Sequence, residues 1–324
     1  MPLFEDLKVF TGNSHPALAR DICAYLGIAL SPADVFKFGN DETFVQIKEN
    51  VREKDVFIVQ PISKPVNDHL MELWIMIDAA RRASAGRITV VIPYYAYGQT
   101  DKKDQPRVAI TARLVADFLT VAGANRILTM NLHTGQIQGF FNIPLDELDA
   151  IPLLAQQIRE KGLKDLVVVA TDVGAAKRAR KMADYLPDSS IAIVEKMRLG
   201  NSEKVAAANV IGKVEGRTAL IVDDVINSGG SVIAAAEILK QHGAGDIYCT
   251  VVHPVLAGKS SDKLSASHIK EFIVTDSLPV GQEKRFDKLQ VVSVASLLGE
   301  AIHRIHSGLS VGAMFDGKGT TRRG

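Results

Sequence analysis

Cysteine is nearly absent: Cys23 and Cys249 are the only two in 324 residues. That scarcity excludes a disulfide framework and points to a reduced compartment, with the cytoplasm as the expected location. Both cysteines lie in apolar patterns and read as small buried hydrophobes. No apolar run reaches the roughly 18 residues that a bilayer-crossing helix requires. The opening MPLFEDLKVFTG is acidic early and lacks the apolar core of a signal peptide. Neither sign of charge dominates, since 38 Lys and Arg against 37 Asp and Glu leave +1. This balance argues against a nucleic-acid or membrane surface. There is no short-period repeat and no low-complexity segment. What remains is an ordinary globular mix, 47% hydrophobic and 23% charged, with enough chain for two medium domains. The tail DGKGTTRRG is polar and Gly-rich and is expected to fray.

Apolar strand patterns alternate with helical ones along the whole chain. In the first half, strands are expected at 7–12, 55–60, 87–95 and 126–132, with helices over 16–26, 67–85 and 110–122. In the second half, strands are expected at 166–171, 191–196, 219–224, 247–254, 271–277 and 289–294. Near-continuous Val/Ile runs are the mark of parallel strands covered on both faces. The fold class is therefore α/β, two doubly wound parallel-sheet domains, with ligands at the strand C-terminal ends. The boundary is expected near 147–152, giving domains 1–150 and 151–324. One segment, 98–108 (GQTDKKDQPRV), is clearly loop-like. It reads equally as a mobile lid over phosphates or as a solvated surface loop.

The densest chemistry is Leu220–Val232, LIVDDVINSGGSV. An apolar strand runs into the paired acids Asp223 and Asp224, then a small-residue turn, Asn227–Ser231, then a helix pattern. Small residues at a helix N-terminus make an anion cradle. Acids beside such a cradle make sense if they hold sugar hydroxyls or Mg²⁺. The segment resembles the phosphoribosyl-diphosphate binding motif of the type I phosphoribosyltransferase fold.

Other segments extend the likeness. In chain order, NDHLMELWIMIDAARRASAGRITVVIPYY, PYYAYGQTDKKDQPRVAITARLVADFL, NLHTGQIQGFFNIPLDEL and VVHPVLAGKSSDKL resemble the ribose-phosphate pyrophosphokinase family. The resemblance runs from FTGNSHPALA at 10–19 to GLSVGAMF at 308–315. It implies Mg²⁺-dependent transfer of the diphosphate of ATP to the C1 hydroxyl of ribose 5-phosphate. It also implies two phosphoribosyltransferase-like domains and self-association into dimers that build a hexamer. Carried over residue by residue, it makes Lys196 and Arg198 the catalytic cations and His133 and Asp172 the metal-associated residues. ATP binding falls to Phe38, Asn40, Glu42, Gln99, Thr100, Asp101, Lys102, Lys103, Asp104 and Asp146. Asp223, Asp224, Asn227, Ser228, Gly229, Gly230 and Ser231 match the ribose-phosphate site, and Arg52, Arg107 and Ser310 an effector site.

The chain departs from the family pattern where ligands are contacted. Gln99 and Thr100 replace an Arg-Gln pair, and Asn40 replaces an Asp beside the base. Asn131 replaces an Asp two residues before His133. Ala170-Thr171-Asp172-Val173-Gly174-Ala175 replaces Ser-Pro-Asp-x-Gly-Gly, and the methyl of Ala175 is expected to disfavour positive φ. Asn227, Ser228 and Ser231 stand for an acid and two threonines. Three readings stay open: an active synthetase with a shifted nucleotide site, a paralogue that diphosphorylates another ribosyl acceptor such as ADP-ribose, and a non-catalytic regulatory subunit. The changed tail, Gly312–Phe315, predicts weak or absent ADP inhibition, which an ADP titration of activity checks.

Overall fold

The protein is described by a computed structural model covering residues 6–198 and 205–315. The tail beyond 315, and the side chains of Lys196 and Arg198, lie outside the described residues.

The first unit contains β1 (Leu7–Thr11), α1 (Pro16–Leu26), β2 (Ala33–Lys37), β3 (Thr43–Ile47), β4 (Asp55–Val59), α2 (Val66–Arg82), β5 (Arg87–Ile92), α3 (Thr111–Ala122), β6 (Arg126–Met130) and β7 (Leu145–Leu148). The second contains α4 (Ile151–Glu160), β8 (Leu166–Ala170), α5 (Ala176–Asp184), β9 (Ser190–Arg198), β10 (Val205–Ile211), β11 (Thr218–Ile226), α6 (Gly230–Gln241), β12 (Ile247–Pro254), α7 (Ser260–Ser265), β13 (Glu271–Thr275) and β14 (Leu289–Val292). A last helix, α8 (Ala295–Ser307), follows.

Local chemistry explains the elements. Helix α1 opens with Pro16 at its first position and with the His15 ring accepting from the Leu18 N–H. It stops at Gly27, whose φ is 70°. Its inward stripe of Leu18, Ala19, Ile22 and Cys23 is buried. Burial of Cys23 pushes its thiol up to about 11, as suits an inert packing residue; Cys249 is buried as well. Strands β4, β8 and β12 are buried along their whole lengths. That is why they read as unbroken apolar runs rather than alternating ones.

The first unit's main sheet has the order β1-β4-β5-β6-β7 and is parallel throughout. Its strands run in chain order with no reversal. Leu70, Leu73, Met76 and Ile77 of α2, and Val115, Ala116 and Leu119 of α3, pack on it in one core. The second sheet has the order β10-β9-β8-β11-β12-β13-β14. Here the chain winds outward from β8 to β9, then returns to β11 on the other side of β8. That reversal is a topological switch point, and it opens a crevice at the C-terminal ends of β8 and β11.

Three features depart from the sequence-based expectation. Among the described residues, strands β2 and β3 pair only with each other, as an antiparallel hairpin. Strand β10 runs antiparallel to β9, with an irregularity between Val205 and Ala207. The division falls at Asp149/Ala150, but the stretch from Ser293, including α8, belongs to the first unit rather than the second. The cause is visible at Asp55, which is completely buried. It accepts a two-pronged pair from Arg87 and lies 2.9 Å from His306 Nδ1, while Arg87 also donates to the Ile305 carbonyl at 3.1 Å. A buried carboxylate needs such partners, and α8 supplies one of them. Among the described residues, no helix is long and apolar enough to cross a membrane.

Candidate active site

The switch point of the second unit carries the motif Leu220–Val232. Strand β11 delivers Asp223 and Asp224 at its end, Asn227–Gly229 turn the chain, and α6 starts at Gly230. Gly229 has φ of 80°, and a Cβ there would meet Leu264 at 2.9 Å. Only glycine fits this turn on both counts. The loop after β12 braces it, with Leu256 N–H on Ile226 O at 3.0 Å and Ala257 N–H on Asn227 O at 2.9 Å. Ser228, Gly230 and Ser231 are exposed around the first turn of α6, where partial positive charge favours an anion.

The two acids are heavily engaged. Asp223 Oδ1 accepts from Arg178 Nη1 at 3.0 Å and from the Asp224 N–H at 2.9 Å; its Oδ2 accepts from Thr171 Oγ1 at 3.1 Å. Arg178 Nη2 lies 3.2 Å from Asp224 Oδ1. Burial, and then the adjoining Asp224 carboxyl, push the Asp223 carboxyl up to about 6, with Arg178 opposing the rise. Arg178 and Thr171 were not singled out from the sequence. Arg178 sits in the run AKRARK, which reads as a solvated helix face, and Thr171 reads only as a lost proline.

Asp172 follows β8 and is exposed. Its Oδ1 accepts from the Ala175 N–H at 2.9 Å, closing the turn that opens α5. Ala175 has φ of −81° and is buried. The expectation that its methyl opposes a positive φ is therefore corrected: the position is helical, and alanine fits it.

In the first unit, His133 is exposed three residues beyond β6. Nearby, Asn131 takes φ of 40°, a conformation that asparagine tolerates. Its amide donates to Asp149 Oδ1 at 2.8 Å. An aspartate at 131 would set two carboxylates against each other, so the departure at 131 is matched by the acid at 149.

Loop 98–108 is bracketed by two left-handed residues, Tyr97 (φ 63°) and Arg107 (φ 65°). Thr100 Oγ1 donates to the Tyr97 carbonyl at 2.7 Å, and Asp101 Oδ2 accepts from Thr134 Oγ1 at 2.7 Å. Thr100 thus closes the loop's own turn, and Asp101 ties the loop to the segment after β6. Gln99, Lys102, Lys103 and Asp104 are exposed. Asp146 is ion-paired with Arg126, the first residue of β6, at the opposite end of that strand from His133. Asp146 is thus engaged with the strand it lies beside.

The hairpin places Phe38 just past β2, 47% exposed, with Phe36 and Phe44 centroids 5.3 and 5.5 Å away at steep angles. Asn40 Nδ2 donates to Glu42 Oε2 at 2.8 Å, so these two residues are tied to each other across the tip. Arg52 donates to Ser84 Oγ at 3.2 Å, whereas the carbonyl and hydroxyl oxygens of Ser310 accept from Arg304 and Ala313. These are separate sets of contacts.

Lys196 and Arg198 alternate along β9, in register with Ala208 and Val205 of β10. Among the described residues no group of three or more His, Cys, Asp or Glu side chains forms a metal cage. The Asp172 carboxylate, exposed just after β8, is a hard oxygen donor of the kind that divalent cations such as Mg²⁺ take.

Comparison with known proteins agrees with this geometry. Residues 7–123 match the sequence model of the N-terminal domain of ribose phosphate pyrophosphokinase, and residues 185–316 match that of the phosphoribosyl synthetase-associated domain. A ribose-phosphate pyrophosphokinase from Gloeobacter violaceus is 47% identical over 311 residues, 96% of this chain and 93% of that protein. One from Corynebacterium ammoniagenes is 46% identical over 97% of this chain and 98% of its own length. The crystal structure of phosphoribosylpyrophosphate synthetase from Mycobacterium smegmatis superposes with a TM-score of 0.88 at 40% identity, covering 93% of this chain and 99% of that one. With both family models matched and near full-length identity well above the level at which folds diverge, the chain belongs to the ribose-phosphate pyrophosphokinase family.

Proposed function

We propose that this enzyme transfers the β,γ-diphosphate of ATP to the C1 hydroxyl of ribose 5-phosphate, with Mg²⁺, giving phosphoribosyl diphosphate and AMP. The observation that carries the ribosyl half is the switch-point element, where two acids and a phosphate cradle lie on one strand–loop–helix. In this reading the acids accept from the ribose hydroxyls, and Ser228–Ser231 with the first turn of α6 hold the 5-phosphate. The C1 oxygen bonds to the β-phosphorus, the bond from that phosphorus to the α–β bridging oxygen breaks, and AMP departs with the electron pair. The hydroxyl proton passes to solvent. Little covalent chemistry falls to the protein, so catalysis is positioning and charge neutralisation. Lys196 and Arg198 are the cations assigned to the moving diphosphate. Phe38 offers a ring face to the base, while Lys102 and Lys103 offer point charges to the phosphates in place of the guanidinium absent at Gln99. Mg²⁺ would neutralise phosphate charge, and His133 and Asp172 are the residues assigned to it.

Local hydrogen bonds absorb several departures that raised other readings. Thr100, Asn131 and Thr171 each have a partner, and Ala175 fits its helical φ. The test is an acceptor panel. Purified protein with ATP and Mg²⁺ is offered ribose 5-phosphate, ribose and ADP-ribose, and AMP release is measured. Turnover with ribose 5-phosphate at least about tenfold above the others is expected. Preferential turnover of ADP-ribose, or none with any acceptor, would contradict the reading.

Self-association is part of the same proposal. Leu114, Phe118 and Val121 of α3 and Met71 of α2 are exposed, with Trp74 packed edge-on to Phe118 at 5.1 Å. Contiguous exposed apolar residues on adjoining helices favour an interface. Phe118→Asp is expected to lower the mass measured by light scattering; an unchanged mass would remove this face from the assembly.

A further inference from the structure

We propose that Arg178 is a positioning residue of the ribosyl site. Its guanidinium bridges Asp223 and Asp224 and, with the Thr171 hydroxyl, holds both carboxylates as acceptors for the vicinal hydroxyls of the sugar. The inference rests on the ribosyl reading above and assigns work within that site to two residues outside its motif.

Neighbouring residues on a strand point to opposite faces, yet a single guanidinium reaches both acids. Nη1 lies 3.0 Å from Asp223 Oδ1 and Nη2 lies 3.2 Å from Asp224 Oδ1. A planar fork with spaced donors can do this; an ammonium on a flexible stem has no such geometry. The three side chains are only 21%, 15% and 8% exposed, so this is not a screened surface pair of negligible worth. Two buried acids side by side without a cation would share a proton, and one would turn from acceptor to donor. The sugar would then meet a mismatched pattern.

Helix geometry fixes the placement. Asp172 closes the turn that starts α5, and Arg178 is the third residue of that helix. Ala179 and Met182 already bury the helix against the sheet, so α5 does not depend on the bridge for its packing. Thr171 adds a donor that a proline could not supply, because proline at that position has no side-chain hydroxyl. It fixes the second oxygen of Asp223 at 3.1 Å.

The experiment compares the wild type with Arg178→Met, Arg178→Lys and Thr171→Val. Ribose 5-phosphate binding is measured by calorimetry with Mg²⁺ and a non-hydrolysable ATP analogue, alongside KM for each substrate. Arg178→Met is expected to weaken ribose 5-phosphate binding about ten- to a hundredfold, with KM for ATP changed less than about threefold. Arg178→Lys is expected to recover part of the loss. Thr171→Val, which keeps shape and removes only the donor, is expected to weaken binding about three- to tenfold. Wild-type strength of ribose 5-phosphate binding in Thr171→Val or in folded Arg178→Met would overturn the proposal, as would equal loss for both substrates. If Arg178→Met does not fold, Thr171→Val decides. Failure of the wild type itself to bind ribose 5-phosphate would instead strike the ribosyl reading.

Discussion

Lys196→Ala is expected to lower kcat about a hundred- to a thousandfold while leaving KM for both substrates within a few-fold. The reasoning is electrostatic. The diphosphate in flight gains charge on the oxygen bridging to AMP, and a cation aimed at that charge acts in the transition state far more than in the ground state. Lys196 and Arg198 are two residues apart on β9. Arg198→Ala is expected to cost a similar factor. The double variant should fall short of the product of the two losses, since both act on one group. A raised KM with kcat intact would reassign the pair to substrate binding.

The second large effect is expected at Asp223. Asp223→Asn should reduce turnover about a hundredfold or more by weakening one acceptor of the sugar site, yet raise thermal stability at neutral pH. The Asp223 carboxyl lies above its ordinary 3.8, at about 6. The folded state therefore holds that proton to higher pH than the unfolded chain does. The associated stability is present below about pH 4, is lost as pH rises towards 6, and stays lost above. Asparagine removes that cost, a gain of about 1–3 kcal/mol above pH 6 that fades by pH 4. Arg178 keeps Asp224 as a partner in the variant. Melting curves at pH 4 and pH 7.5 check this. A variant destabilised at both would show that the acid stabilises the fold instead of taxing it for function.

Much of this architecture is legible in the residues. Strands such as LVVVA (166–170) announce themselves because both faces are covered, and Pro16 and Gly27 mark the ends of α1. The switch-point motif also reads directly, since DDVINSGGS combines acids and small residues in one short stretch. Other parts were hidden for physical reasons. The hairpin ADVFK–TFVQI is two short strands around a polar tip, and among the described residues it pairs with no other strand. Helix α8 returns to the first unit through Asp55, Arg87 and His306, a contact some 250 residues long in sequence that no local pattern carries. Arg178 looks like surface until its partners across the sheet are seen.

The departures from the family pattern make the same point. In a list of residues, Thr100, Asn131, Thr171 and Ala175 look like losses from a binding shell. In the folded chain Asn131 answers Asp149, Thr171 answers Asp223, Thr100 closes its own turn, and Ala175 sits at a helical φ. Compensation by a partner distant in sequence is invisible until the chain is folded, which is why a count of substitutions overstates the change in chemistry. Gln99 is different: it is exposed in the loop, and the guanidinium it replaces has no evident successor beyond the neighbouring lysines.

The central claim is that this chain alone makes phosphoribosyl diphosphate. The most direct measurement is phosphorus NMR of purified protein with ATP, ribose 5-phosphate and Mg²⁺. The account predicts AMP and a ribosyl diphosphate at C1 growing in equal amounts as ATP and ribose 5-phosphate are consumed. Release of ADP in place of AMP, or an unchanged spectrum from folded protein, would contradict it.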